Sequence, residues 1–484
     1  MDRLFSAIAA HTGVVLRNAT TAWDAATLLS EVECFARQLA DCRVLAVLAD
    51  NSPAWVMADL AALRAERAHL PLPTFFTQKQ LAHALVQTGA DALLTDQPER
   101  LEALGLGYTR VDHWHGLIYM RRPCAAVTLP TGTAKISYTS GSTVTPKGVC
   151  LSAHGLLGTA EALVDTLGYL PITRHLAVLP LALLLENVAG VYAPLLRGAT
   201  IILPRLADLG WRGMTGFDAQ ALQDTVAHTR PHSMILVPEL LKTWLTTPTP
   251  GVDSLRFIAM GGARCDTRML ATARQRGLPV YEGYGLTECG SVVSLNHPAA
   301  DRLGGVGRTL AHVHIRVDAG HEIHIHAPGF LGYLSDGAVT ECFATGDLGE
   351  LDLEGYLHLS GRKKNLLITG FGRNIAPEWI EAALTAQPEI AQALCLGEAR
   401  PWLAAIIVAH AGVDAHALAA AIERSQHDFP DYARIRAWIP GAPFTPQNGC
   451  ATGNGRPIRS AILTHHAAAI TNLYAHTEPP HVVL

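Results

Sequence analysis

Over residues 1–110 the chain alternates helix-like and strand-like stretches, and that alternation admits few architectures. Asp24 stands where a helix N-cap would, ahead of apolar positions Leu28, Val32, Phe35 and Leu39, spaced 4, 3 and 4 apart. The apolar run Arg43 to Ala49 then stops at Asp50-Asn51, as a buried strand does. Ser52-Pro53 opens a second helical pattern that runs through Leu63, and the cycle recurs with Gln80 to Thr88 and Ala92-Leu93-Leu94. Strands separated by helices in this way imply βαβ units and a parallel sheet.

The texture changes near 311–326. His312, His314 and Arg316, then His321, Ile323 and Ile325, alternate strictly, which predicts antiparallel strands with one solvated face. Five histidines fall between 312 and 326, but the spacing places no carboxylate or cysteine to complete a ligand set, so the reading is a surface strand and not a metal site. From about 363 a smaller α/β stretch follows, with an apolar strand Leu403 to Val408 between helical segments.

Composition removes other classes. At 484 residues, with roughly 150 per domain, about three units are expected. Hydrophobic residues at 49% against 16% charged exclude disorder. A net charge of −5 without a basic block excludes a nucleic-acid partner. No apolar run reaches membrane-spanning length: Leu176 to Leu185 contains Pro180 and ends at Glu186. The apolar segment after Asp2 is too short for a secretory leader, and nine dispersed cysteines without a CxxC pair read as reduced thiols, so a cytoplasmic location is expected. Only six of the 37 basic residues are lysine, at 79, 135, 147, 242, 363 and 364.

One of those lysines lies inside the strongest chemical motif, Ile136-Ser137-Tyr138-Thr139-Ser140-Gly141-Ser142-Thr143-Val144-Thr145-Pro146-Lys147-Gly148-Val149. Hydroxyls and backbone N–H groups in a glycine-containing turn converge on phosphate oxygens, and a lysine adds charge. The Gly-Lys-Ser/Thr order of a Walker A loop is absent. Downstream stand Gly261-Gly262-Ala263, Tyr281-Glu282-Gly283-Tyr284-Gly285-Leu286-Thr287-Glu288, Phe343-Ala344-Thr345-Gly346-Asp347 and Gly361-Arg362-Lys363-Lys364.

In that order and spacing these motifs resemble the adenylate-forming superfamily of acyl-CoA synthetases, luciferases and peptide-synthetase adenylation domains. The resemblance covers nearly the whole chain. It implies an α/β fold with a large N-terminal domain of βαβ-layered parallel sheets, a small antiparallel barrel-like subdomain, and a small mobile α+β C-terminal domain. The boundary is expected between 1–362 and 363–484. The implied activity is AMP-forming ligation of a carboxylic acid, through an acyl-adenylate, to a coenzyme A or carrier-protein phosphopantetheine thiol. ATP and Mg²⁺ are the implied companions, and an acyl carrier protein is the one protein partner considered.

Residue by residue, the resemblance gives Lys147 with Thr139, Ser140, Gly141, Ser142 and Thr143 to the pyrophosphate side. It gives Tyr284 to the adenine, with Gly262, Ala263 and Gly285 beside it, Thr287 to the phosphates, and Glu288 to Mg²⁺. Asp347 and Arg362 would hold the ribose and adenosine, and Lys364 occupies the hinge. The stretch Thr369-Gly370-Phe371-Gly372-Arg373-Asn374 would face the thiol channel. Leu179-Pro180-Leu181-Ala182-Leu183-Leu184-Leu185-Glu186 resembles the long-chain acyl-CoA synthetase branch, as do Ala399-Arg400-Pro401-Trp402-Leu403 and Asn448-Gly449. That branch implies a fatty or other apolar acid, with Glu186, Asn187, Gly190, Val191, Gly261 and Gly283 near it and Val188 also placed to line a tunnel.

Three positions depart from the family pattern: Val144 for glycine, Leu183 for histidine, and Arg456 for the lysine that serves the carboxylate and α-phosphate. Arginine keeps the charge on a planar fork instead of a compact ammonium. Arg456 is compatible with a working substitute, with an enzyme confined to a half-reaction or to a non-thiol acceptor, and with a chain that only binds nucleotide or acyl ligand. No motif specifies which acid is used or the oligomeric state.

Overall fold

The computed structural model describes residues 1–139, 147–212, 216–248, 252–334, 342–369, 373–453 and 455–475. The alternation at the N-terminus folds as its periodicity predicts. Asp24 accepts a hydrogen bond from the Thr27 N–H at 2.8 Å and starts the helix Ala25–Gln38. Leu28, Val32, Phe35 and Leu39 are all buried. The Ser52 hydroxyl caps Pro53–Arg64, where proline's fixed φ suits the first turn.

Two large sheets result. One has eight strands, with Val44–Leu48 at its centre, parallel to Ala68–Pro71 and Ala92–Thr95. The other has nine, with a parallel centre made of Thr200–Ile202, Arg174–Leu176, Ser233–Leu236, Phe257–Met260 and Val280–Tyr284. A shared core between them contains Leu16 and Ile201 from the nine-stranded sheet, Leu45 and Leu94 from the eight-stranded one, and Phe35, Trp55 and Leu163 from intervening helices. Each sheet packs a second core on its outer face, around Met234, Trp244 and Ile258 in one case and Leu48, Leu85 and Met120 in the other. Strands covered on both faces read as continuous apolar runs, which is why Val44 to Leu48 carries no alternation.

The histidine-rich stretch forms an antiparallel hairpin, His314–Val317 with Glu322–His326, inside a four-stranded antiparallel sheet completed by Phe343–Leu351 and Leu357–Arg362. Ile323 and Ile325 point into its core, and His324 lies on the other face. The alternation thus holds, but His312 precedes the strand and His321 sits in the turn at φ 62°. The same turn supplies the carboxylates that the linear spacing did not place: Asp318, Glu322 and His324 bring ligand-capable atoms within 4.8 Å of one another. Those atoms already serve the fold, His324 pairing with Asp318 at 2.9 Å and Lys363 with Glu322 at 2.6 Å.

The C-terminal stretch has its own three-stranded sheet, Ile390–Leu396, Leu403–Ala409 and Ile435–Pro440, with separate cores on its two faces. It docks on the rest through Lys242, whose ammonium donates to the Ile390 carbonyl at 2.6 Å, and through Arg268, which donates to the Arg424 and Ser425 carbonyls at 3.1 and 2.8 Å. Among the described residues no helix is long and apolar enough to cross a membrane.

Candidate active site

The carboxyl ends of the parallel strands, the four-stranded sheet and the C-terminal unit enclose one cleft of about 2200 Å³. Ligands in open α/β sheets bind at that edge, where loops diverge and helix N-termini and backbone N–H groups face outward.

Around the phosphate motif, Thr133–Thr139 pairs antiparallel with Lys147–Ser152, so Thr139 lies across from Lys147. Ser140, Gly141, Ser142, Thr143 and Val144 lie outside the described residues, as does the side chain of Thr139. The strand Phe330–Tyr333 adds to the same sheet, placing Tyr333 opposite Val149. Its ring centroid is 5.0 Å from the Lys147 ammonium, and its hydroxyl donates to Glu288 Oε1 at 2.8 Å. Lys147, Tyr333 and Glu288 therefore form one neighbourhood, with Thr287 and Glu288 on the 3₁₀ turn Thr287–Cys289. Tyr333 escaped the sequence reading because only strand pairing brings it there.

A second cluster surrounds Asp347. Asp347 and Arg362 are cross-strand partners, and Arg362 Nε lies 2.6 Å from Asp347 Oδ1. The Tyr284 hydroxyl donates to Asp347 Oδ2 at 2.7 Å. Burial first, then the Asp347 charge, pushes the Tyr284 phenol far above its ordinary range, so it acts as a neutral donor. A carboxylate offers about four acceptor sites, so two bonds still leave Asp347 room for a pair of ligand hydroxyls. Gly285 is required here, since a Cβ would come within 1.6 Å of the Ser291 carbonyl oxygen.

Arg456 enters from the C-terminal unit. One terminal nitrogen donates to the Gly262 carbonyl at 2.5 Å, and Gly262 itself sits at φ 83°. Desolvation in the cleft and then Arg362 lower its proton affinity, while Asp347 raises it, so all three share a field. Gly261, Ala263, Gly283 and Lys364 also line the cleft, and Lys364 is exposed at the junction. Of the thiol-side stretch, Gly370, Phe371 and Gly372 and the Asn374 side chain lie outside the described residues.

Four residues expected near the acid do not reach the cleft. Glu186, Asn187, Gly190 and Val191 are buried, on the turn Leu184–Asn187 and the π-helical turn Val188–Tyr192. Val188 is fully buried too, and Leu183, Leu185 and Ala189 line the wall instead. The four positions came from the resemblance; Glu186 and Asn187 are held in the core by buried hydrogen bonds, and Gly190 and Val191 are buried on the π-helical turn. Glu186 accepts from the Leu179 N–H at 2.9 Å and lies 3.1 Å from His175 Nε2, while Asn187 donates to Asp59 at 2.8 Å.

Asn187 belongs to a wholly buried network that was not anticipated. Asp59 Oδ1 meets Lys135 Nζ at 2.8 Å and His69 Nδ1 at 2.5 Å, and the Tyr192 hydroxyl donates to Asp59 Oδ2 at 2.8 Å. Lys135 also donates to Asn187 and Tyr192. Burial alone would raise the Asp59 carboxyl, but the charges of Lys135 and His69 hold it well below the usual carboxylate range. A rare lysine between Ala134 and Ile136 on a buried strand was the available signal.

A family model described as AMP-binding enzyme matches residues 12–335, and one described as AMP-binding enzyme C-terminal domain matches 364–478. Over 301 residues the chain is 31% identical to the indoleacetate–CoA ligase of Aromatoleum aromaticum, covering 57% of this chain and 56% of that protein. Over 159 residues it is 36% identical to the long-chain-fatty-acid–CoA ligase FadD15 of Mycobacterium bovis, covering 31% of this chain and 26% of that one. The likeness to the long-chain branch thus rests on under a third of the chain, and the chain spans little more than half the length of the first of these relatives. O-succinylbenzoate coenzyme A synthetase from Bacillus subtilis, solved with AMP, shares the fold at a TM-score of 0.76 and 22% identity, covering 95% of this chain and 97% of that one.

Proposed function

We propose, on the premise that this chain belongs to the AMP-binding enzyme family, that it activates a carboxylic acid as an acyl-adenylate and passes the acyl group to a thiol. The observation that carries this reading is the convergence on one cleft of Glu288, the Asp347–Arg362–Tyr284 cluster and Arg456, contributed by separate parts of the chain.

In the first step a carboxylate oxygen bonds to the α-phosphorus of ATP, and the bond from that phosphorus to the bridging oxygen breaks, releasing pyrophosphate. Two anions meet, so the barrier is largely electrostatic. Arg456 would supply positive charge to the carboxylate and α-phosphate and Lys147 to the pyrophosphate side, and Asp347 would fix the ribose hydroxyls beside Tyr284. Tyr333 holds the Glu288 carboxylate by its hydrogen bond, and this hard oxygen donor next to the Thr287 hydroxyl suits Mg²⁺. Bound there, Mg²⁺ would neutralise phosphate charge. In the second step a thiol displaces AMP from the acyl carbon and loses its proton. Coenzyme A is the favoured acceptor, because the relatives named above are CoA ligases, and a carrier-protein phosphopantetheine offers the same thiol.

The division into 1–362 and 363–484, with Lys364 at the hinge, belongs to the same reading. It is supported by cores that do not cross that junction. The acid is apolar along most of its length, since Leu183, Ile235, Val237, Phe257 and Ala259 line the inner wall. Replacing Lys147 or Glu288 by alanine should slow acid-dependent pyrophosphate release at least about a hundredfold. Undiminished rates in both variants would sink the assignment. The replacement of lysine by Arg456 favours one alternative, a chain that binds adenylate without forming it efficiently.

A further inference from the structure

Inside the cleft one face of the nine-stranded sheet forms a passage. Side chains alternate along a strand, so Ser233, Ile235 and Val237 share a face, as do Phe257, Ala259 and Gly261. The parallel register sets His175, Ser233 and Phe257 side by side in one row across three strands. That row lies four residues below Gly261, or about 13 Å down the passage at ~3.3 Å per residue. The upper walls are apolar or glycine, and a Cβ on Gly261 would come 3.1 Å from Leu185 Cδ2, so the roof is close.

At the bottom the chemistry changes. Ser233 Oγ lies 2.9 Å from His175 Nδ1, and His175 Nε2 lies 3.1 Å from Glu186 Oε1. His175 and Ser233 are 3% and 6% exposed, yet both line the cleft. Both imidazole nitrogens are engaged, and the second Glu186 oxygen accepts from the Leu179 backbone. A hydroxyl has one donor and two acceptor sites, and His175 is the only described side-chain partner of Ser233, so this hydroxyl keeps capacity toward the passage. Gly190 makes the arrangement possible: a Cβ there would stand 2.1 Å from Glu186 Oε1 and 2.8 Å from His175 Nε2. Ser233 has one partner in His175, so an apolar tail ending here would leave the rest of its hydrogen-bonding capacity unused, whereas a polar end would add a bond.

We infer that the acid carries a neutral hydrogen-bonding group, such as a hydroxyl or a keto oxygen, at the end remote from its carboxylate, and that Ser233 binds it with His175 and Glu186 behind. This rests on the proposed acid-activating function and narrows its substrate. The hydroxyl of Ser233 either donates or accepts as His175 allows, whereas a second carboxylate would bring a further negative charge toward the buried Glu186 behind His175 and is disfavoured.

The test uses two non-hydrolysable acyl-adenylate mimics, acyl sulfamoyl adenosines with medium-length straight acyl tails of equal heavy-atom count, one ending in a hydroxyl and one in a methyl. Binding to the full chain is read by calorimetry, so it does not depend on turnover. The hydroxyl-ended mimic should bind at least tenfold more tightly, and Ser233→Ala should abolish that preference while leaving AMP affinity unchanged. Equal or weaker binding of the hydroxyl-ended mimic, or a preference that persists in Ser233→Ala, would overturn the inference while the adenylate-binding function stands. Failure of both mimics and of AMP to bind would overturn the function itself, and the inference with it. Ser233→Thr, which keeps the hydroxyl, should retain the preference, separating recognition from a packing defect.

Discussion

Arg456 carries its charge on a planar fork and uses one arm of it on the Gly262 carbonyl. That leaves other N–H groups for the carboxylate and α-phosphate, a division of labour that a single ammonium performs less well. Arg456→Lys should therefore lower acid-dependent ATP–pyrophosphate exchange about tenfold or more. A rise in exchange would instead identify the natural arginine as a weakened catalyst. Glu282 shows a different residue-scale constraint. Its carboxyl is buried, accepts from the Cys265 N–H at 3.0 Å, and is pushed up to about 7, chiefly by desolvation, against an ordinary value of 4.5. The folded chain thus holds this proton more tightly than the unfolded one. The stabilisation is fully present below about pH 4.5 and is lost as pH rises through about 7, by an amount on the order of 3 kcal/mol. Urea denaturation at pH 5 and pH 8 should show a smaller loss of stability in Glu282→Gln than in the natural chain.

At the scale of elements, the buried Asp59–Lys135 pair ties the helix Pro53–Arg64 to the strand Thr133–Thr139, which leads into the phosphate motif. Removing one partner strands the other charge in the core, so Lys135→Met should cost about 3–5 kcal/mol. Asp59→Asn combined with Lys135→Met should cost less than Lys135→Met alone, measured by urea midpoints. Equal or greater loss in the double variant would show that the pair is not coupled. At the π-helical turn, Gly190→Ala forces a methyl against Glu186 and His175 and should destabilise by about 1–3 kcal/mol.

At the scale of the molecule, the cleft is complete only while the C-terminal unit is docked, because Arg456 comes from that unit. The docking bonds of Lys242 and Arg268 reach backbone carbonyls across a contact more typical of transient domain interfaces than of a core. Arg268→Ala with Lys242→Met should raise the radius of gyration measured by X-ray scattering and slow pyrophosphate release severalfold. An unchanged radius would show that other contacts hold the unit.

Much of this was legible beforehand. The caps at Asp24 and Ser52 and the apolar strands are local signals, set by dihedral preference and by the period of burial, and the order of the motifs carried the resemblance to the family. The positions of Asp347, Arg362, Tyr284 and Glu288 followed from motifs, and they line one cleft. The acid passage was less legible. The resemblance pointed to Gly190 and Val191, but both are buried on the π-helical turn Val188–Tyr192, and Leu185 and Ala189 line the cleft instead.

By itself, then, the sequence determined which segments are helix or strand, because that depends on neighbours along the chain, and it carried the motifs by which the family is recognised. Only the tertiary structure decided that Tyr333 holds Glu288, that Lys135 is spent on Asp59, and that His175 and Ser233 line the foot of the passage with Glu186 buried behind His175. Those pairings join residues as much as 76 positions apart through strand register and layer packing. A linear pattern carries no record of which strands become neighbours.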